Sequence, residues 1–313
     1  MSIYIAVDLG GTHIRAASYH QNDTKPICYK KIKTRFNNEK VFQRILSVIG
    51  DIIPEDGDVA AIGIAAPGPI NPRTGVVIET PNIPEWEDFP LTEKLSAHFG
   101  IPACLGNDAN LAALGECRYG AGKSHNHLLY LTVSTGVGGG VVSDDHLLEG
   151  AHGLAGELGH VTVLAGGPRC SCGHRGHLEA LASGTAIANY VRAQLDDPTR
   201  ESSLRSRADR GAEAIADAAR EGDPLALEAY QRAGKYLGIG IAGFLHIFNP
   251  TIVILGGGVS YSGELLFAPM RKSVEAHVFN SSYLEDLVIT AAALGDDAGL
   301  LGALALAVMK YPA

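Results

Sequence analysis

The fold of this chain is decided near its N-terminus by Ile3-Tyr4-Ile5-Ala6-Val7-Asp8-Leu9-Gly10-Gly11-Thr12, after which His13–Tyr19 continues. Both flanks are short and rich in β-forming residues, so we expect two strands joined by a hairpin turn that contains the glycines. Successive glycines let backbone N–H groups point at one anion, and Thr12 adds a hydroxyl donor. Asp8, at the strand end, can hold a hydrated Mg²⁺. Alone the signal is weak, since many hairpins carry Gly-Gly and no Gly-Lys-Ser/Thr follows as in a Walker loop.

The following residues extend this hairpin into an α/β sheet. A third strand is predicted over 26–34, a helix over 40–53 from its apolar period, and a buried strand over 59–66 from its continuous apolar run. This β-β-β-α-β order predicts one mixed sheet with a helix on its face. Further strands are predicted over 103–105, 127–133, 141–143, 251–255 and 287–292, and further helices over 91–99, 109–116, 179–194, 212–221, 224–248 and 299–309.

Composition bounds the class of protein. The 313 residues carry 34 acidic and 25 basic side chains, a net charge of −9, and 46% are apolar, which is normal for a globular chain. The acidic balance argues against nucleic acid or an anionic membrane as the main partner. No apolar run reaches the roughly 20 residues that span a bilayer, and the N-terminus lacks a signal pattern. Five cysteines without a signal do not make a disulfide framework. We therefore expect a soluble cytoplasmic protein.

Glycine is the anomaly in this composition. There are 38 glycines, and they cluster between apolar runs. Ser134-Thr135-Gly136 opens a second Gly-rich loop after a strand, so the two halves share a strand, turn, strand pattern. Gly256-Gly257-Gly258 forms a third loop, where backbone can lie against a purine ring. The first two loops together can hold a polyphosphate from both sides; the alternative is a set of unrelated tight turns.

Two further constellations carry chemistry. Asn107-Asp108 follows a predicted strand and opens a helix, a position that suits a base taking a proton from a substrate hydroxyl, although a helix cap is the alternative. Cysteine and histidine are dense between residues 157 and 179, which predicts metal ligands. The candidate ligands are His160, Cys170, Cys172, His174 and His177.

Taken together, these elements resemble the ROK family of sugar kinases and repressors, within the actin/hexokinase/Hsp70 superfamily. The resemblance runs from Asp8-Leu9-Gly10-Gly11-Thr12 to Gly256-Gly257-Gly258, and its most specific part is Glu157-Leu158-Gly159-His160 with the Cys170–Glu179 segment. It implies an α/β, two-lobed actin-like ATPase (ribonuclease H-like) fold with an interdomain cleft. The first lobe would span 1–118 with the C-terminal helix 299–313, and the second 119–298 with a zinc loop at 150–180.

The resemblance also implies roles for individual residues. Asp108 corresponds to the catalytic base, ATP phosphates lie on the first two glycine loops, and adenosine lies near the third. Residues implied in sugar binding are Pro67, Gly68, Asn82, Asn107, Asp108, Glu157, His160 and Glu179. Residues implied in nucleotide binding are Asp8, Gly10, Gly11, Thr12, Thr135, Gly136, Gly256, Gly257 and Gly258.

The implied structural zinc site departs from the family pattern at one ligand. His160, Cys170 and Cys172 match the first three ligands, but His177 stands where the family usually has a cysteine. An imidazole can replace a thiolate on zinc, which gives a Cys₂His₂ set. His174 is a spare candidate for the fourth position.

The function implied is ATP-dependent and Mg²⁺-dependent phosphorylation of a hexose, most simply glucose to glucose 6-phosphate, by a homo-oligomer. Kinases for N-acetylglucosamine, N-acetylmannosamine, fructose or mannose are alternatives within the class. A non-enzymatic sugar sensor is the alternative of another class, although a sensor needs neither a base nor a nucleotide site. The repressors of the family carry an N-terminal winged helix-turn-helix, and this chain starts directly at the first predicted strand.

Overall fold

The computed structural model describes residues 2–21, 23–37, 39–55, 58–80 and 83–313. Within it the chain divides into two compact units. The first unit comprises Met1–Asn126, Gly140–Gly156 and Ala293–Ala313, and the second comprises His127–Gly139 and Glu157–Ala292. The boundary between the two lobes at residues 118 and 119, which the family resemblance implies, stays a prediction.

The first unit is built on a five-stranded mixed sheet, as the β-β-β-α-β pattern predicts. Its elements, in chain order, are β1 (Ile3–Leu9), β2 (His13–His20), β3 (Cys28–Lys33), α1 (Val41–Gly50), β4 (Val59–Ala66), β5 (Ile70–Asn71), β6 (Val76–Glu79), β7 (Glu87–Phe89), α2 (Leu91–Phe99), β8 (Ala103–Asn107) and α3 (Asp108–Tyr119). The strand order is β3-β2-β1-β4-β8, with β1 antiparallel to β2 and parallel to β4. Strands β5, β6 and β7 form a small separate sheet that the sequence analysis missed.

Strand β1 is buried along its whole length because apolar layers cover both faces of its sheet. Alternate residues of a strand face opposite sides. Ile5 and Val7 belong to one apolar cluster, with Ile45 of α1, while Tyr4 and Ala6 belong to another. This two-sided burial explains why the strand reads as a continuous apolar run rather than an alternating one.

The second five-stranded sheet has the order β11-β10-β9-β12-β13. The remaining elements are β9 (Leu128–Val133), β10 (Val137–Ser143), β11 (His146–Leu147), α4 (Glu179–Ala182), α5 (Gly184–Leu195), α6 (Ala212–Arg220), α7 (Pro224–Phe248), β12 (Ile252–Gly256), α8 (Glu264–His277), β13 (Val288–Ala291) and α9 (Ala298–Lys310). Strand β12 is parallel to both β9 and β13. The long helix α7 begins at Pro224, capped by Asp223, and ends at Asn249 in the left-handed conformation.

Two local predictions were wrong, each for a packing reason. The helix predicted over 179–194 is broken at Ser183, whose extended backbone and hydroxyl cap α5. Strand β10 begins at Val137, not 141, so Gly139 lies inside the strand, where a Cβ would come within 2.6 Å of Leu158. Helix α8 follows the third glycine loop and contains Pro269.

Helix α9 packs closely against the sheet and α3 of the first unit because glycines leave room for it. A Cβ on Gly63 of β4 would lie 2.0 Å from the Ala303 carbonyl oxygen, and one on Gly302 would lie 1.8 Å from the Leu111 carbonyl oxygen. Glu116 holds the segment before α9, since its fully buried carboxylate accepts hydrogen bonds from the backbone N–H groups of Ala293 and Leu294. The first unit thus depends on close backbone contacts between α9, α3 and β4.

Among the residues that the structure describes, no helix combines the length and the apolar character needed to cross a bilayer.

This packing predicts that a single methyl group on α9 destabilises the first unit. Gly302→Ala should lower the free energy of unfolding by about 1–3 kcal/mol, because backbone must shift to admit the Cβ. Gly50→Ala is the matched control, since a Cβ there has nothing within 4 Å; it should be neutral or stabilise by up to about 1 kcal/mol. Urea denaturation of both variants measures the difference, and equal stabilities would contradict the packing account.

Candidate nucleotide, sugar and metal sites

The first glycine loop joins β1 to β2, as predicted. Gly10 donates its N–H to the carbonyl oxygen of His13 at 2.9 Å, which closes the hairpin. The end of β3 supports the loop from the side. Thr34 donates its hydroxyl to the Gly10 carbonyl at 2.6 Å, and its N–H to the Thr12 carbonyl at 2.9 Å. The loop is therefore a preformed turn.

Asp8 lies at the end of β1 and is buried beside the start of α9. Its carboxylate pairs with Arg15, which stands directly opposite it on β2. The second residue of α9 is Gly299, where a Cβ would lie 3.1 Å from the Asp8 carboxylate. Burial raises the pKa of Asp8, and the charge of Arg15 offsets part of that rise. Sequence reasoning missed Arg15; the antiparallel register of the predicted hairpin places it opposite Asp8.

Asp108 and Asn107 lie at the carboxyl end of β8, next to the end of β4. Asn107 caps α3, because its side chain accepts hydrogen bonds from the N–H groups of Ala109 and Asn110 at 3.0 and 3.2 Å. Asp108 is exposed in the first turn, and one of its oxygens accepts the Ala109 N–H at 2.8 Å. The capping alternative therefore applies to Asn107, and the carboxylate of Asp108 remains at the surface of the unit.

The predicted sugar-binding loop after β4 meets Asn107. Strands β4 and β8 are parallel, with Ala66 opposite Asn107, so Pro67 and Gly68 continue beside it. A Cβ on Gly68 would lie 3.2 Å from the amide nitrogen of the Asn107 side chain. Asn82, the other predicted residue of this group, lies outside the described residues.

In the second unit, Glu179 fastens the second glycine loop to the Cys/His loop. One carboxylate oxygen accepts the Val137 N–H at 3.1 Å, and the other accepts the Ser171 hydroxyl at 2.6 Å. A Cβ on Gly136 would lie 2.5 Å from the Glu179 carboxylate, so a larger residue there would displace this side chain. Burial alone would raise the pKa of Glu179, but the hydrogen bonds from Ser171, Val137 and Cys170 hold it below its usual value. Glu179 is thus an ionised acceptor at Thr135-Gly136.

Glu157 and His160 lie on a short turn packed against the start of β10. A Cβ on Gly159 would lie 1.9 Å from the Val137 carbonyl oxygen, so this turn packs directly against the backbone at the start of β10. The Nε2 atom of His160 lies 3.9 Å from the Glu157 carboxylate. Its other ring nitrogen, Nδ1, lies 3.6 Å from the Cys170 sulfur. The structure therefore brings Glu157, His160, Glu179 and Gly136 together.

The four predicted metal ligands His160, Cys170, Cys172 and His177 form one cluster. One ligand atom from each lies within 4.8 Å of all the others. The Cys172 sulfur lies 3.3 Å from Nδ1 of His177 and 3.8 Å from Nδ1 of His174. Two sulfurs and two imidazole nitrogens are a donor set that zinc prefers and that Mg²⁺ does not. The donors present therefore fit a zinc ion.

A tight turn aims the two cysteines at one point. Cys170 donates its N–H to the His174 carbonyl at 2.7 Å, and Gly173, in the left-handed conformation, donates to the Cys170 carbonyl at 2.9 Å. Hydrogen bonds from the backbone and ring of His174 lower the pKa of the exposed Cys172 thiol to about 6. At neutral pH this thiol is therefore mostly a thiolate, the form that binds metal.

A cavity of about 660 Å³ in the second unit adjoins the second and third glycine loops. Its walls include Thr135, Thr185 and Arg192 of α5, Glu213 and Arg220 of α6, and Gly258. We call it the α5–α6 cavity. Of the three predicted glycines only Gly258 lines it. A Cβ on Gly256 would lie 2.3 Å from the Tyr130 hydroxyl, and one on Gly257 would lie 2.4 Å from the Val133 carbonyl. Those two glycines serve the packing of β12 on β9.

Sequence reasoning missed the polar side chains of this cavity. Arg192, Glu213 and Arg220 lie on helices that were predicted, but nothing in a helical period tells which face borders a cavity. The spacing of Thr185, Ala188 and Arg192 places them on one face of α5. That face indicates a cavity only once the glycine loop beside it is known.

Comparison with known proteins identifies the family. The model of the ROK family matches residues 4–310 of this chain. The chain is a member of the ROK family. Its fold is the predicted α/β actin-like ATPase (ribonuclease H-like) fold, as the solved ROK structures that it matches confirm.

Relatives named as sugar kinases match nearly end to end. The chain is 42% identical to a glucokinase of Thermotoga maritima over 307 residues, covering 96% of this chain and 95% of that one. A ROK hexokinase structure from Thermus thermophilus is similar with a TM-score of 0.84 and 35% identity, covering 98% of each chain. A ROK glucokinase from Streptomyces griseus, solved with glucose and AMPPNP, has a TM-score of 0.80 and 34% identity, covering 98% of this chain and 99% of that one.

The thiol environment of the Cys/His loop predicts selective alkylation. In metal-stripped protein at pH 7, iodoacetamide should label Cys172 faster than Cys28, which is also exposed, because the thiolate is the nucleophile. The rate at Cys172 should fall roughly tenfold for each pH unit below about 6, and added Zn²⁺ should protect it. His174→Ala should slow the reaction, because it removes one of the side-chain hydrogen bonds that lower the pKa. Mass spectrometry measures both rates, and equal labelling of the two cysteines would contradict the assignment.

Proposed function

We propose that this ROK-family chain catalyses ATP-dependent phosphorylation of a hexose at its 6-hydroxyl, converting glucose to glucose 6-phosphate. The proposal is supported by the full-length similarity to a glucokinase at 42% identity and to the glucokinase solved with glucose and AMPPNP. The observation that carries it is at β8 and α3. Asn107 caps α3 through its side chain, and the Asp108 carboxylate beside it accepts the Ala109 N–H with one oxygen and is exposed to solvent.

Asp108 acts as the general base of the transfer. It accepts the proton of the sugar 6-hydroxyl while that oxygen forms a bond to the γ-phosphorus of ATP. The bond from the γ-phosphorus to the β,γ-bridging oxygen breaks, and ADP leaves with the electron pair. The products are glucose 6-phosphate and ADP, and the proton on Asp108 passes to solvent.

Nucleotide binding is assigned to the glycine loops and the α5–α6 cavity. Gly10, Gly11 and Thr12 of the first loop and Thr135 and Gly136 of the second offer backbone N–H and hydroxyl donors to phosphate oxygens. The cavity of about 660 Å³ has the size of a nucleoside site. Asp8 would hold Mg²⁺, which supplies charge neutralisation at the phosphoryl oxygens when bound.

Sugar binding is assigned to acceptors fixed by their surroundings. Glu179 is held by Ser171 and Val137, and Glu157 lies beside His160. Pro67, Gly68, Asn82 and Asn107 complete the set that the family resemblance implies. Carboxylates with fixed positions discriminate among sugar hydroxyls, because a hydroxyl without a partner in such a site costs roughly 1–3 kcal/mol.

Zinc is assigned a structural role at His160, Cys170, Cys172 and His177. Four protein ligands leave no open position for a reactive water. His160 faces Cys170 through Nδ1 and Glu157 through Nε2, so zinc on Nδ1 would fix the ring that contacts the sugar. This links the order of the Cys/His loop to sugar affinity.

The alternatives differ in substrate or in chemistry. N-acetylglucosamine, N-acetylmannosamine, fructose or mannose would replace glucose within the same reaction, and a sensor would bind the sugar without turnover. We also propose a cytoplasmic location and a homo-oligomer, as the resemblance implies. A hexose panel assayed for ADP release, with NMR assignment of the phosphorylated position, tests the function. The highest kcat/KM should be for glucose. If none of the sugars caused ADP release, the non-enzymatic sensor would be the remaining alternative.

Replacing the base separates chemistry from binding. Asp108→Asn should lower kcat by at least about 100-fold, because a positioned base contributes that much. Helix α3 should persist because Asn107 provides the cap. Calorimetry should show glucose affinity within a few-fold of wild type. Glu93→Gln is the matched control, an exposed carboxylate in the first turn of α2. Wild-type turnover in Asp108→Asn would remove Asp108 from the catalytic role.

The zinc assignment predicts about one zinc per chain by elemental analysis of purified protein. His177→Ala should lose the metal, His177→Cys should retain it, and the matched control His174→Ala should retain it, since His174 lies farther from the Cys172 sulfur. Glucose affinity should fall in His177→Ala alone. Zinc retained in His177→Ala and lost in His174→Ala would move the fourth ligand to His174, and a fully active zinc-free wild type would refute the site.

A further inference from the structure

A second cavity of the second unit, with a volume of about 620 Å³, borders the proposed reaction site at Gly136 and Glu179, and the rest of its arginine-bearing lining has no role in the proposed reaction. It extends from Gly136 and Glu179 past Ser171 to Arg169, Tyr190 and Arg232. We call it the arginine cavity. Its volume is that of a site for a small metabolite rather than for a single ion.

Helix α5 separates this cavity from the α5–α6 cavity. Ala188 and Arg192 line only the α5–α6 cavity, whereas Ala186, Asn189 and Ala193 line only the arginine cavity. The spacing of three and four residues places each set on its own face of the helix. Thr185, in the first turn of α5, and Thr135 of the second glycine loop border both. The two cavities therefore lie on different faces of α5 and meet at these two threonines.

Two arginines and one carboxylate, Glu179, line the arginine cavity. Among the described residues, neither Arg169 nor Arg232 has a carboxylate within 4.0 Å. Glu228, one helical turn before Arg232, is engaged instead by the Tyr190 hydroxyl and by Arg200. Glu179 is engaged by Ser171 and Val137. Both of these carboxylates thus already accept hydrogen bonds from other groups.

Arg232 is held in place without an ion pair. Its guanidinium carbon lies 4.9 Å from the ring centre of Tyr190 and 4.9 Å from that of Tyr236. Aromatic rings orient a guanidinium without satisfying its N–H donors. A planar donor group fixed in this way suits two oxygens of one phosphate.

We propose that the arginine cavity binds a phosphate monoester, with the phosphate between Arg232 and Arg169 and the remainder of the molecule toward Ser171 and Asn189. The inference rests on the proposed function only in naming a sugar phosphate as the monoester to test. A sugar phosphate fills the volume of the cavity better than inorganic phosphate, which has only the charged group in common with it.

Calorimetric titration of the full chain tests this, with glucose 6-phosphate and inorganic phosphate as separate probes. The titrations are made with the free protein and with protein saturated with glucose and AMPPNP. We expect glucose 6-phosphate to bind once per chain when glucose and AMPPNP fill the proposed active site, and the free protein to offer that product site in addition. Comparable affinity for inorganic phosphate would still support the site and identify phosphate alone as what it recognises. Binding that disappears when glucose and AMPPNP are present would overturn the proposal.

Variants assign the binding to the cavity. Arg232→Gln and Arg169→Gln should each weaken binding at least tenfold, and Arg169 is exposed, so its variant should fold even if Arg232→Gln does not. Arg271→Gln is the control, an arginine of α8 paired with Glu264 outside the cavity. Wild-type affinity in the folded arginine variants would overturn the proposal. If none of the hexoses caused ADP release, the proposed kinase activity would be refuted. The titrations of the free protein with glucose 6-phosphate and inorganic phosphate would still test binding in the arginine cavity.

Discussion

The arrangement of the second unit depends on the carboxylate of Glu179. It joins three segments that are distant in sequence: the glycine loop through Val137, the Cys/His loop through Ser171, and helix α4, on which it stands. The absence of a side chain on Gly136 makes room for it. Three hydrogen bonds keep the carboxylate ionised despite burial, so it can accept a further hydroxyl. The second glycine loop, the proposed sugar acceptor and the proposed zinc loop are therefore parts of one connected network.

Glycine has two different uses in this chain, and both are needed to explain the composition. Some glycines permit contact between secondary structure elements, as Gly63 and Gly302 do around α9 and as Gly256 and Gly257 do where β12 meets β9. Others, such as Gly258, border open space where a ligand can approach. A shared motif does not separate these uses, because both require the same missing Cβ. Only the neighbours of each glycine tell which use applies.

Much of the fold could be predicted from the sequence because burial leaves a periodic signal. Strands such as β1 and β4 and the helix α7 lie where apolar period and caps place them. The break at Ser183 and the strand character of Gly139 could not be predicted, since both follow from contacts with residues distant in sequence. The Cys/His cluster was predictable as a group, because local turns bring those ligands together. Arg15, Arg192 and Arg232 were not, because their positions depend on helix faces and strand register.

The most direct test of this account is hydrogen–deuterium exchange in Glu179→Ala compared with wild type. If Glu179 connects the two loops, amide exchange should accelerate together in residues 134–137 and in residues 170–174, while α7 and α9 keep their protection. Adding glucose to wild type should slow amide exchange in both loops, because ligand binding favours the ordered state. Unchanged exchange in either loop of the variant would contradict the claim that one carboxylate holds both.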